Sequence, residues 1–190
     1  MGYTVPVGIS NKHIHLSQAD LEVLFGAGAQ LTKKKDLKQP GQFAAEEQVQ
    51  IVGPKGAATV RVLGPVRKET QVELSMTDTR TLGLKGVPMR QSGHLEGTPG
   101  LKVVGPKGEI ELDHGVIVAQ RHIHLNDAQA AEAGVKDQQV VSVKIVGERE
   151  LIFGNVVCRC GSAHEREFHI DTDEGNAASL ANDVEVEIIL

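Results

Sequence analysis

The feature that most limits what this chain can become is a string that occurs twice, Lys12-His13-Ile14-His15-Leu16 and Arg121-His122-Ile123-His124-Leu125. Each copy follows a short apolar, strand-like run, Val5 to Ile9 in one case and Val116 to Ala119 in the other, and each leads into a polar segment that starts a helix. In extended backbone residues i and i+2 share a face, so each copy presents two imidazoles side by side. A single pair of this kind is commonly a set of surface or hydrogen-bonded histidines. Two copies, holding four of the chain's eight histidines, point instead to metal ligation, for which neutral imidazole is the commonest side chain.

The repeat favours two small domains over one large one, and at 190 residues with 40% hydrophobic content there is enough apolar material for both cores. Aromatic residues are only 3%, tryptophan is absent and glycine numbers 21. Aliphatic side chains must therefore fill the interior, and the composition suits many short strands joined by tight turns. A formal charge of −5 argues against a nucleic-acid partner. There is no cationic amphipathic stretch, no secretory leader and no apolar run of transmembrane length, so a soluble, cytoplasmic protein with no membrane partner is expected. Cys158 and Cys160 form a strand-spaced pair rather than a disulfide framework, which fits a reducing compartment.

In chain order, Thr4 to Ile9 reads as a strand that delivers His13 and His15 at its end. Ser17 caps a helix that Gly26 stops. Leu31 to Gly41 reads as a basic loop with Lys33, Lys34, Lys35 and Lys38, suited to solvent or to an anionic partner such as a nucleotide phosphate. The strands Phe43 to Val52 and Ala58 to Leu63 flank a turn at Gly53-Pro54-Lys55-Gly56, and the same turn string returns at Gly105 to Gly108. It lacks the spacing of a Walker phosphate loop. Arg67 and Glu73 are the polar residues of the next stretch with functional promise, and Thr77 to Leu82 reads as a helix. Val87 to Gly100 has loop composition, with Arg90 and Ser92 placed to bind an anion. The second half then runs from the strand Gly115 to Ala119 through a helix capped by Asn126 to further strands at Gln139 to Val146, Leu151 to Cys160, Arg166 to Asp171 and Val184 to Leu190.

Setting the halves against each other pairs Val72-Glu73-Leu74-Ser75 with Phe168-His169-Ile170-Asp171. Each half then offers three ligands: His13, His15 and Glu73 in one, His122, His124 and His169 in the other. Three protein ligands leave a coordination position open, as in catalytic zinc sites. His94, His114 and His164 lie in polar surroundings and read as surface residues. On these residues alone, a cupin-like oxygenase or a hydrolase with a two-histidine-one-carboxylate iron site remains an alternative, as does a non-catalytic β-protein braced by metal.

Several separated strings taken together resemble one family. They are Ser10 to Ser17, Lys34-Lys35-Asp36-Leu37-Lys38-Gln39-Pro40-Gly41-Gln42-Phe43-Ala44, Gly64-Pro65-Val66-Arg67, Gln91-Ser92-Gly93 and Ala119 to His124. In this order, and over essentially the whole chain, they resemble the PduL-type phosphotransacylases, or phosphate propanoyltransferases. The resemblance implies a mainly β protein of two duplicated small β-barrel domains with short flanking helices and a dinuclear zinc site between them. Read along the repeat, the chain has a first domain at 1–86, a connection and hairpin at 87–114 that contribute to the second barrel or the interface, and a second domain at 115–190. The resemblance implies reversible transfer of an acetyl or propanoyl group between CoA and inorganic phosphate, with two zinc ions per chain. His13, His15 and Glu73 would hold the zinc that faces the CoA sulfur, and His122, His124 and His169 the other. Arg67 would bind phosphate with Ser92 nearby, Arg90 would help to orient it, and Lys34 and Lys35 would lie near the CoA phosphates. A homodimer is compatible with the chain, although no residue pattern sets the stoichiometry.

This chain departs from the family pattern in two places. Lys12 stands where arginine is expected, which loses the bidentate fork for an oxyanion. Members sorted to the lumen of bacterial microcompartments, where propanediol is degraded, usually begin with an amphipathic targeting helix, and none precedes Thr4 here.

Overall fold

The computed structural model describes residues 2–190. The chain runs through β1 (Thr4–Ser10), β2 (His13–His15), α1 (Gln18–Phe25), β3 (Lys33–Asp36), β4 (Phe43–Gly53), β5 (Gly56–Gly64), β6 (Gln71–Leu74) and α2 (Met76–Leu82). It continues through β7 (Met89–Arg90), β8 (Lys102–Val104), β9 (Glu109–Glu111), β10 (Val116–Ala119), β11 (His122–Leu125) and α3 (Asp127–Ala133). The last elements are β12 (Val140–Ile145), β13 (Leu151–Cys160), β14 (Glu167–Asp171), α4 (Thr172–Ala177) and β15 (Glu185–Ile189). The protein is mainly β, as its composition indicated. The four helices among the described residues are short and begin at side-chain caps, Ser17, Ser75, Asn126 and Asp171, the last three closing reciprocal boxes with Asp78, Gln129 and Glu174. Such short helices are marginal in isolation, so capping and packing against strands hold them. No helix among the described residues is long and apolar enough to cross a membrane.

Contacts divide the chain into two compact units, and the division differs from the boundaries 1–86 and 115–190. One unit takes the N-terminal segment through Asn11, Lys38–Pro40 and Gln120–Leu190; the other takes Lys12–Leu37 and Gly41–Ala119. β1, which precedes the first His-Ile-His, pairs with β14 and β15. β10, which precedes the second, pairs with β6 and β7. Each apolar strand thus joins the unit that carries the other copy of the string.

The first of these units is a closed barrel in the order β1-β14-β11-β13-β12-β15. Its core is aliphatic, with Val5, Val7, Ile123, Leu125, Val143, Val156, Ile170 and the ring of Phe168 among its buried members. The other unit is a nine-stranded sheet that follows β7-β10-β6-β2-β5-β4-β8-β9, with β3 on the side of β4. Ile14, Leu16, Leu21, Leu24, Ile51, Val62, Val72 and Leu74 are buried in its core. One of the two expected barrels therefore closes. In the closed one a single strand, β15, pairs with both β1 and β12. In the other, the outer edge of β10 is taken by β7, and β4 carries the β8-β9 hairpin. The central strands nevertheless repeat one pattern: β2 lies parallel to β5 and antiparallel to β6, and β11 lies parallel to β13 and antiparallel to β14. The basic segment expected as a loop is in part the edge strand β3, whose four residues are all exposed.

Candidate functional site

β2 is three residues long, and its alternation decides its faces. Ile14 is fully buried in the sheet unit's core, while His13 and His15 project from the opposite side. The antiparallel register sets Glu73 directly across from His13, and Gln71 across from His15. Cross-strand partners have neighbouring side chains, so His13, His15 and Glu73 converge, with their ligand atoms all within 4.8 Å of one another. His13 Nε2 lies 3.5 Å from Glu73 Oε2, and His15 Nε2 lies 3.8 Å from Oε1. The His15 Nδ1 atom sits 3.1 Å from the Leu63 carbonyl oxygen, to which it donates. That contact fixes the tautomer and leaves the Nε2 lone pair facing the cluster.

The electrostatics suit a cation at this cluster. Burial, reinforced by the neighbouring His13, lowers the pKa of His15 to about 3, so the ring is neutral at physiological pH. Burial alone would push Glu73 up, but His13, and after it His15 and Ser92, hold its carboxyl well below the ordinary range. Two imidazoles with an ionised carboxylate are the donor set of a divalent transition-metal site.

A hydrogen-bonded line leads from Glu73 to Arg67. Ser92 Oγ donates to Glu73 Oε1 at 2.9 Å and accepts from Arg67 Nη1 at 2.9 Å and from Gln71 Nε2 at 2.8 Å. Gln71 Nε2 also donates to Glu73 Oε1 at 2.5 Å, and Gln71 Oε1 accepts from the Gly93 amide at 2.7 Å. Arg67 is anchored at its backbone, where its amide donates to the Leu16 carbonyl, the residue that follows His15. The sheet unit thus brings a guanidinium, a hydroxyl and the Glu73 carboxylate into one connected group.

The barrel unit builds the second cluster by the same route. His122 and His124 lie on β11, and β14 sets His169 across from His122 and Glu167 across from His124. Ligand atoms of His122, His124 and His169 fall within 4.8 Å of one another. The Nε2 atoms of His122 and His124 are 3.0 Å apart, and His122 Nδ1 donates to the Gln120 carbonyl at 2.8 Å. Burial, with the charges of His122 and His169 beside it, drives the pKa of His124 far below the usual imidazole range. Three imidazole nitrogen donors again fit a zinc-like ion.

Other predicted residues lie elsewhere. Lys34 is exposed on β3, with Nζ 3.4 Å from Glu46, and Lys35 is exposed beside it. Arg90 is exposed on β7 and donates to the Met89 carbonyl. His94 is exposed and His114 is half-buried, with its Nε2 3.3 Å from Glu69, while His164 stands beside the second triad. It is partly buried, and its Nδ1 lies 3.0 Å from His124 Nδ1. Gln71 and Glu167 were also missed; both are visible only through cross-strand register, which no local pattern reveals.

A family model described as "Phosphate propanoyltransferase" matches residues 6–181. Curated relatives with that name include one from Rhodopseudomonas palustris, 52% identical over 98% of this chain and 82% of its own length. Another, from Thermotoga maritima, is 56% identical over 92% of this chain and 83% of its own. A third, from Salmonella typhimurium, is 53% identical over 94% and 85%. The family model's span covers both histidine strings and both triads, and with relatives of this identity and coverage the chain belongs to the phosphate propanoyltransferase family.

Proposed function

We propose that this protein is an acyltransferase that moves a short acyl group, propanoyl or acetyl, reversibly between CoA and inorganic phosphate, using one zinc ion at each triad. The observation that carries the reaction is the family match over residues 6–181. The two three-ligand clusters, the first buried and the second partly buried, support the metals.

In the forward direction a phosphate oxygen attacks the thioester carbonyl carbon, the carbon–sulfur bond breaks, and CoA leaves as its thiolate while acyl phosphate forms. Zinc bound at the triads supplies Lewis acidity and keeps a coordinating thiol deprotonated at neutral pH. The chain's own contribution is position and charge. Arg67 binds and orients the phosphate, and Ser92, hydrogen-bonded to both Arg67 and Glu73, ties the anion's cradle to the first triad. Arg90 adds positive charge for phosphate, and Lys34 and Lys35 offer an exposed basic edge to the CoA phosphates.

The transfer proceeds without an acyl-enzyme. Cys158 is fully buried in the barrel core, and burial pushes its thiol up to about 12, so it is not a nucleophile at neutral pH. Cys160 is raised in the same direction, chiefly by burial. His13→Ala and His122→Ala test the proposal: each should lose one zinc per chain by elemental analysis and abolish measurable turnover. Full activity in either variant would contradict the assignment of its triad.

A further inference from the structure

The register that aligns the triads also aligns one more residue in each unit. Gln71 on β6 lies across from His15, and Glu167 on β14 lies across from His124. Each stands two positions before the third ligand and hydrogen-bonds to it. In the sheet unit that ligand is a carboxylate, and the neighbour is an amide whose Nε2 donates to Glu73 Oε1 at 2.5 Å. In the barrel unit it is an imidazole, and the neighbour is a carboxylate whose Oε2 accepts from His169 Nε2 at 2.5 Å. The sense of the hydrogen bond has inverted with the ligand type, and the formal charge of the two clusters has stayed equal. Two imidazoles, a carboxylate and an amide carry one negative charge; so do three imidazoles and a carboxylate.

Glu167 is held in place from two further segments. Gln39 Nε2 donates to Glu167 Oε2 at 3.1 Å and to the Glu165 carbonyl at 2.9 Å, while Gln39 Oε1 accepts from the Glu165 amide at 3.2 Å. Both side chains are buried, Gln39 at 3% exposure and Glu167 at 9%. On β1, Gly8 is the register partner of His169. A Cβ added at Gly8 would lie 2.5 Å from Glu167 Oε1 and 2.9 Å from His169 Cδ2, so the glycine leaves the space that this carboxylate fills. A buried carboxylate with so many partners is costly to keep unless its charge is used. Carboxylates that hydrogen-bond a metal-ligating histidine orient the ring and raise its basicity, and their loss weakens metal binding.

We infer that Glu167 is a positioning residue for the second metal: it orients His169 and gives the all-histidine triad the negative charge that Glu73 supplies directly to the first. The inference rests on the reading that each triad holds zinc. The test is zinc affinity, measured on the full-length metal-free protein by competition with a chromophoric chelator. A His13→Ala background is used so that the second triad alone titrates. Glu167→Gln, which keeps the shape and removes the charge, should weaken zinc binding about ten- to a hundredfold. Gly8→Ala, which leaves every ionisable group intact but displaces the carboxylate, should weaken it too, and Glu167→Asp should recover part of what Glu167→Gln loses. Thermal unfolding of each metal-free variant separates loss of affinity from loss of fold. Unchanged affinity in both Glu167→Gln and Gly8→Ala would overturn the inference and leave the zinc reading standing. No zinc uptake by the His13→Ala parent would overturn both.

Discussion

Arg67 reaches the first triad through named atoms: its Nη1 donates to Ser92 Oγ, which donates to Glu73. Such a cation does most for catalysis when it is already aimed at the place where charge gathers, because no reorganisation is needed during reaction. Arg67→Ala should lower kcat/KM for phosphate by about 10²- to 10³-fold. Arg67→Lys should restore only part, since lysine keeps the charge without the planar fork. Steady-state kinetics with phosphate varied would show this, and an unchanged constant would remove Arg67 from the phosphate site. The six residues of the two triads were legible in the sequence for a physical reason. Four sit at i and i+2 in a repeated string, and the other two follow when the halves are aligned. Gln71, Glu167 and His164 were not, because their roles depend on which strand lies opposite. His164, in the turn-like stretch Gly161-Ser162-Ala163-His164, has no periodicity that marks it.

The elements around the triads share a second device. The basic residue before each His-Ile-His grips the acid that closes a capping box: Lys12 Nζ lies 2.8 Å from Asp78 on α2, and Arg121 Nη1 lies 2.9 Å from Glu174 on α4. These residues brace the strand that carries the histidines against a helix start, which accounts for Lys12 without a phosphate role. The guanidinium of Arg121 also stacks 5.2 Å from the Phe153 ring centroid. Burial outweighs Arg121 at Glu174 and raises its pKa to about 7, and burial raises the neighbouring Asp171 as well. A carboxyl raised in the folded state is protonated there while the unfolded chain has already lost its proton. Stability should therefore fall as pH rises from about 4.5 to about 7. Urea unfolding across that range should show the decline, and Glu174→Gln should flatten it; an unaltered slope would mean that Glu174 titrates normally. On β3, Lys34→Ala with Lys35→Ala should raise KM for CoA more than it lowers kcat. An unchanged KM would return that basic edge to solvent.

At the scale of the whole molecule, the repeat was legible and the assignment of its strands was not. A run such as Val5-Pro6-Val7-Gly8-Ile9 announces a strand by composition. Nothing within it says that its partners are β14 and β15, more than 150 residues later, rather than the strands of its own half. Gly8 gives a physical reason for this placement, since only a residue without a side chain leaves room for His169 and Glu167 beside it. Because β1 and β10 each join the unit bearing the other histidine string, neither unit forms from one continuous stretch of chain. The same central pairing, parallel on one side of the histidine strand and antiparallel on the other, then produces two triads that differ in one ligand, and two clusters that match in formal charge once Gln71 and Glu167 are counted with them. The central claim is that both triads serve one acyl transfer between CoA and phosphate. Its most direct test is thioester formation from acetyl phosphate and CoA, followed by ultraviolet absorbance, on the protein as purified, after exhaustive chelation, and after zinc is restored. The account predicts activity that is lost on chelation and regained with zinc; activity that survives complete metal removal would contradict it.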